Sequence, residues 1–338
     1  MTMLSRVAEQ LYWMARYIER AEDTARIINV HTHLLLDLPK GTAFGWESLI
    51  FIVGSEELFY QRYPTANEQS VVKFMLADPE NSSSILSALQ MARENLRTTR
   101  DSVPREAWEK LNNLYLYVKN QVDEAIARRS RYAFLEHIIE SSQIINGLLA
   151  GTMSHDYAYD FVRIGRNIER TDMTTRIVDV CSANLLPKQR GDLTPFENIQ
   201  WMSVLKSLSA YQMYRRHVHV RVNGAGVLRF LLQDPNFPRS VYHCLGEVQH
   251  SLNKLPRNEA PLHSMLRLKR QVYEVDVRDL TNQELHSFID ALQIALGKLH
   301  DQIRATYFLT EAPPILTRSD GIDGYLKAAQ PSQTMVLP

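Results

Sequence analysis

Apolar residues recur every three or four positions from the start of the chain. Leu4, Val7, Leu11, Met14, Ile18, Ala25 and Ile28 form one stripe that continues into the LLLDL of 34 to 38 and meets Pro39. The spacing predicts one long helix over about 4 to 37, with Pro39-Lys40-Gly41 as its stop. The same reading predicts a helix over about 46 to 63, ended by Pro64, and a short one over 71 to 76, closed by Asp78-Pro79. Ser82, Ser83 or Ser84 can cap a helix running to about Asp101. Pro104 suits the start of a helix over 105 to 128. A further helix from near Arg131 is expected to run through Gly147 to Gly151 into the next long helical stretch. Helical periodicity outruns strict alternation nearly everywhere, so the fold class is all-α.

The pattern is also self-similar. Residues 11 to 30, LYWMARYIERAEDTARIINV, return 150 positions later as FVRIGRNIERTDMTTRIVDV at 161 to 180. Arg16, Ile18, Glu19, Arg20, Thr24, Arg26, Ile27 and Val30 reappear as Arg166, Ile168, Glu169, Arg170, Thr174, Arg176, Ile177 and Val180, and Glu22 becomes Asp172. Leu38-Pro39-Lys40 returns as Leu186-Pro187-Lys188, Trp46 as Trp201, and Phe74 with Asp78-Pro79 as Phe230 with Asp234-Pro235. The shift grows to 156 through insertions, the largest at 189 to 196, where a loop is expected. The expected organisation is a helical bundle of two internal repeats of about 150 residues, at 1–150 and 151–310, with an irregular tail over 311–338.

Composition narrows the function classes. The 338 residues carry 38 basic and 38 acidic side chains, so no global field favours nucleic acid or an anionic membrane. Cys181 and Cys244 are too few for a disulfide framework, and no uncharged run approaches the roughly 18 residues of a membrane span. A soluble, cytoplasmic protein is expected, with neither nucleic acid nor membrane as partner, and its oligomeric state is left open.

An amphipathic helix needs only its apolar face repeated, so retained charges imply specific partners in each copy. With Ile18 at zero on a helical wheel, Glu19, Glu22 and Arg26 fall at roughly 40° to 100°, on one flank of the apolar face. Glu22 and Arg26 are four apart, acid first, and Asp172 with Arg176 keep that order. Ala15 and Gly165 lie on the same flank and would let another backbone approach, which suggests that the two similar helices meet around a pseudo-twofold axis. Arg16, Arg20, Arg166 and Arg170 fall near 160° to 200°, where a solvated face explains them. Three readings of the charged stripe follow: an internal ion-pair network, a carboxylate cluster for acid/base work or a divalent ion, and recognition of a partner or anionic ligand by arginine. The Glu-x-x-His pairing of di-metal carboxylate bundles is absent, and adjacent arginines would compete with a cation, so no metal and no cofactor are expected.

Arg93, Arg97 and Arg100 make a second stripe, repeated in the other half only as Gln249, Asn253 and Pro256. Three aligned like charges need something negative opposite, either the Glu19/Glu22 flank or a ligand, and any single ligand site would then be biased toward the first half. His31 with His33, and His217 with His219, are two apart and do not share a helix face. His155-Asp156 suits a helix cap, and Trp13, Trp46, Trp108 and Trp201 read as core.

MLSRVAEQLYWMARYIERAEDTAR at 3 to 26, ARENLRTTRD at 92 to 101 followed by Trp108-Glu109 and Asn112, and SHDYAYDFVRIGRNIERTDMTTR at 154 to 176 together resemble the bacterial Alpha-E family. The resemblance covers roughly residues 3 to 310. It implies an all-helical domain of unknown function with Glu-x-x-Arg-like signatures, encoded beside or fused to circularly permuted ATP-grasp ligases and transglutaminase-like proteins. It therefore implies a role in a peptide or amide-bond-forming system, as an accessory binding protein or, alternatively, an enzyme acting through a Glu/Arg cluster. The residues carried over as candidate site members are Glu19, Arg20, Glu22, Arg26, Arg93, Arg97, Arg100, Glu169, Arg170 and Arg176, and Asp172 joins them as the counterpart of Glu22.

Overall fold

The structure is a computed structural model describing residues 4–37, 45–185, 197–218, 222–278 and 280–308. The expected Pro39-Lys40-Gly41 stop, its counterpart at 186–188, the 189–196 insertion, His219 and the 311–338 tail lie outside them. Among the described residues there are fourteen α-helices and no strand.

Two long helices occupy the centre, α1 (Ser5–Asp37) and α8 (Tyr157–Leu185), and they pack along each other. Leu11, Tyr12, Met14, Ile18, Ala21, Ala25 and Ile28 of α1, with Ile164, Ile168, Ile177 and Val178 of α8, are at most 1% exposed. Each buried Leu or Ile there removes enough apolar surface to contribute about 1.5–3 kcal/mol to cohesion. Leu4, the first member of the predicted stripe, is instead exposed. At Gly165 the two backbones nearly touch, for a Cβ there would lie 2.2 Å from the Tyr12 carbonyl oxygen. The close approach expected from Ala15 and Gly165 is therefore realised on α8.

The remaining helices surround this pair. They are α2 (Glu47–Val53), α3 (Glu56–Arg62), α4 (Glu68–Ala77), α5 (Ile85–Arg97), α6 (Arg105–Ile126) and α7 (Arg128–Thr152), then α9 (Glu197–Ser207), α10 (Tyr211–His217), α11 (Gly224–Gln233), α12 (Val241–Leu252), α13 (Glu259–Glu274) and α14 (Asn282–Ile303). α5 and α7 pack on α1, whereas α12 and α14 pack on α8. The connections cross over, since α2 packs on α8 and α9 packs on α1.

Local chemistry explains where the boundaries depart from the periodicity. The helix expected over 46 to 63 is two helices, because Gly54 adopts φ 62° and its N–H closes α2 on the Ile50 and Phe51 carbonyls. α4 is longer than 71 to 76 because Asn67 and Ser70 satisfy each other's backbone N–H in a capping box. α5 starts at its Ser84 cap but stops at Arg97, where the Thr98 and Thr99 hydroxyls donate to the Asn95 carbonyl. The continuous helix expected through Gly151 is interrupted. Met153 is extended, and the Asp156 carboxylate accepts the Ala158 and Tyr159 N–H groups to start α8 anew.

Candidate functional site

The seam between α1 and α8 carries a buried band of charge. Glu19, Glu22, Asp23 and Glu169 are each at most 1% exposed, a placement that is costly for carboxylates unless cations share it. The pairing is reciprocal across the two helices. Arg20 Nε donates to Glu169 Oε1, and Arg170 Nε donates to Glu19 Oε1 at 2.6 Å. Arg16 Nε adds a second donor to Glu169, at 2.7 Å to Oε2, and its guanidinium lies 4.9 Å from the centre of the Trp13 ring. Within single helices, Arg26 donates to Glu22 at 2.7 Å and Arg176 to Asp172 at 3.0 Å.

The arginines expected on a solvated face are thus drawn inward. Arg16 is 9% exposed, and the side chains of Arg20 and Arg170 retain only 18% and 15% of their exposure. A helical wheel presumes one buried side, but α1 and α8 are each covered on several sides and have no broad solvent face. Arg166 is half-buried, its Nε has no hydrogen-bond partner, and burial lowers its pKa.

Two members of the network were not legible in the sequence. Arg239, 7% exposed, enters from the turn ahead of α12 and divides its guanidinium among three carboxylates. Nη1 lies 2.6 Å from Asp23 Oδ1 and 3.0 Å from Glu19 Oε1, and Nη2 lies 2.8 Å from Glu22 Oε1. Asp23 was likewise unmarked, and neither residue carries a local spacing that would flag it. Their one available signal is negative: the positions 156 before Arg239 and 150 after Asp23 hold Ser83 and Met173.

These contacts set the protonation of the band. Burial opposes ionisation of Glu169, but Arg20 and Arg16 outweigh it and hold the carboxyl down at about 2. Burial likewise opposes ionisation of Glu19, and Arg170 and Arg239 still keep it below the usual range. Asp23 is the exception. Burial pushes it up to about 7; Arg239 pulls the other way, but Glu19 and Glu22 compete for the same guanidinium.

The second arginine stripe stands apart. Arg93 donates to Asn112 at 2.8 Å and to Glu94, Arg97 donates to Glu94 at 2.8 Å, and Arg100 lies 5.8 Å from the Trp108 ring centre. Its opposite charge is Glu94 on its own helix, with α6 supplying aromatic faces, and not the Glu19/Glu22 flank. The structure therefore unites Glu19, Arg20, Glu22, Arg26, Glu169 and Arg170, sets Asp172 and Arg176 at their margin, and leaves Arg93, Arg97 and Arg100 on a separate face.

A cavity of about 730 Å³ opens onto that margin. Arg20, Thr24, Glu169, Asp172 and Arg176 form its floor, and the turns at Gly54–Glu57 and Glu80–Ser83 form its rim. Gly54 is needed there for its positive φ, and the Arg176 guanidinium lies directly above it. A second hollow of about 880 Å³, between Asp101–Pro104 and Thr152–Ala158, includes no member of the network. Among the described residues, Asp179, His286 and Asp290 form one group with donor atoms within 4.8 Å of one another. Both ring nitrogens of His286 already face carboxylates, at 2.8 and 3.5 Å.

The sequence model of the Alpha-E family, described as a predicted alpha-helical domain with a conserved ER motif, matches residues 3–308. The described motif is the adjacent Glu-Arg pair, which corrects the expected Glu-x-x-Arg signature. Glu-Arg occurs twice in this chain, at Glu19-Arg20 and Glu169-Arg170, the four residues that exchange partners across the seam. The chain is 23% identical to an uncharacterized protein of Mycobacterium bovis and to uncharacterized proteins of two Mycobacterium tuberculosis strains. Each alignment covers 98% of this chain but only 39% of the relative, so the chain spans about two fifths of the relatives' length. No solved structure matches it.

Proposed function

This chain belongs to the Alpha-E family, and from that premise we propose that it is a binding module whose ligand site is the cavity between α1, α8 and the Gly54–Glu57 and Glu80–Ser83 turns. The observation that carries the reading is that this cavity, of a size typical for ligand sites, opens directly on Arg20, Glu169, Asp172 and Arg176 of the central helices. The chain is read as two copies of one helical unit, 1–150 and 151–310, whose Glu-Arg pairs lock the copies together while their margins face ligand. In support, α4 and α11 are offset by 156 residues at both ends, and Asn67 and Asn223 cap them alike. The partner implied by the family is a circularly permuted ATP-grasp ligase or transglutaminase-like protein, or its peptide product, in a cytoplasmic setting that suits two free cysteines.

Binding is favoured over acid/base catalysis by the state of the central carboxylate. Glu169 accepts Arg16 and Arg20 on its two oxygens and is held near 2, which makes it a poor proton donor and a weak base at neutral pH. The test is to co-express the tagged full chain with an Alpha-E-associated circularly permuted ATP-grasp protein and to fill the cavity with Ser83→Tyr. Co-elution with the unaltered chain that is lost in a folded Ser83→Tyr variant is expected. Absence of co-elution, or co-elution indifferent to the filling, would overturn the reading.

A further inference from the structure

The two flanks of the charged band differ in one respect. On the flank beside α12, the turn before the helix sends Arg239 onto Glu19, Glu22 and Asp23. On the other flank, Glu169, Asp172 and Met173 stand at the positions 150 residues on, and the turn before α5 has Ser83 where the register places Arg239. The register is secured by the next residue, since Ser84 and Ser240 are both fully buried caps, accepting from Ser87 and His243 N–H respectively. Where one flank holds a guanidinium, the other holds the cavity.

A second observation marks the same place. Thr174 Oγ1 donates to the backbone carbonyl of Arg239 at 3.1 Å. Its counterpart Thr24 lines the cavity and is 1% exposed, yet its Oγ1 has no hydrogen-bond partner. A buried hydroxyl without a partner is unfavourable, and a ligand that bonds it offsets that cost. Charge points the same way. Glu56, Glu57, Glu80, Glu169 and Asp172 border the cavity against Arg20 and Arg176, five carboxylates to two guanidinium groups.

We infer that this cavity receives an arginine side chain presented by another polypeptide, its guanidinium taking on the Asp172 flank the place that Arg239 takes on the Glu22 flank, with Thr24 available to bond the presenting backbone. Arginine fits better than lysine because the internal template sets Nη1 on Glu19 and Nη2 on Glu22, whose counterparts Glu169 and Asp172 both border the cavity, a fork that a single ammonium cannot reproduce. This deepens the binding reading and rests on it for the choice of cavity.

The test titrates the full chain calorimetrically with N-acetyl-arginine amide, with the citrulline analogue as an uncharged isostere and the lysine analogue as a second cation. Saturable binding of the arginine probe is expected, with no detectable heat from citrulline and weaker binding of lysine. Asp172→Asn should weaken the arginine probe about tenfold, as for loss of one charge-assisted hydrogen bond. Ser83→Arg, which supplies the missing guanidinium from within, should abolish binding and raise the melting temperature. Equal binding of arginine and citrulline, tighter binding of lysine, no saturable heat, or binding unchanged by both substitutions would overturn the inference. Should Ser83→Arg not fold, the Asp172→Asn arm decides alone. The two proposals fail separately: a silent arginine probe with co-elution still lost in Ser83→Tyr removes the arginine assignment, whereas a bound probe with co-elution indifferent to Ser83→Tyr removes the partner reading.

Discussion

At the scale of single residues, Arg239 determines what the buried acids can do. Glu22 has Arg26 and Glu19 has Arg170, but Asp23 has only its share of Arg239. That imbalance is why Asp23 is raised, to about 7 from 3.8, while Glu169 with two arginines is held at about 2. The folded protein therefore keeps a proton on Asp23 that the unfolded chain releases, and the associated stability is full below pH 3.8 and lost as pH rises toward 7. Glu169 acts in the opposite sense, its contribution being present above pH 4.5 and lost as pH falls toward 2. Asp23→Asn should abolish the first slope. Its melting temperature relative to the unaltered protein is expected to rise between about pH 4 and pH 7, followed by circular dichroism. Parallel curves for the two proteins would refute the assignment.

At the scale of elements, the crossing of α1 and α8 depends on Gly165. A methyl group there meets the Tyr12 carbonyl, a backbone atom that cannot rotate away, so the helices must part and strain the ion pairs beside the crossing. Gly165→Ala should cost about 1–3 kcal/mol in chemical denaturation, while Gly147→Ala, where nothing lies within 4 Å, should be neutral or slightly stabilising. A Gly165→Ala variant as stable as the unaltered chain would contradict the packing described. This crossing was legible in the sequence because Ala15 and Gly165 fall on the same flank of two similar stretches. The break at Gly54 was not, since one glycine inside a periodic run leaves the period intact, and only the fold shows the left-handed turn and the Arg176 guanidinium above it. The inward arginines were misplaced for a related reason. A wheel reports the apolar face of a helix and not the number of neighbours around it, and α1 meets α5, α7, α8 and α9. Arg239 lay beyond sequence reasoning because its partners stand 216 and 217 residues away and no periodicity links a turn residue to a helix flank.

At the scale of the molecule, the two central helices act as one charged seam. Glu-Arg pairs that look local in sequence are exchanged in space, Glu19 with Arg170 and Glu169 with Arg20, so neither central helix completes its own Glu-Arg pair. Buried pairs of this kind add little net stability over apolar packing but are costly to break singly, which makes them suited to fixing how α1 and α8 meet. The cavity borders that seam, so a ligand held there contacts both central helices. The exchange is tested most directly by a double-mutant cycle on Glu19→Gln and Arg170→Met, followed by chemical denaturation of both single variants and the pair. Each single change should cost about 3–5 kcal/mol, and the double variant should fall short of additivity by about 2 kcal/mol or more. Single costs that add to within about 0.5 kcal/mol would show that the two residues do not share a bond across the seam.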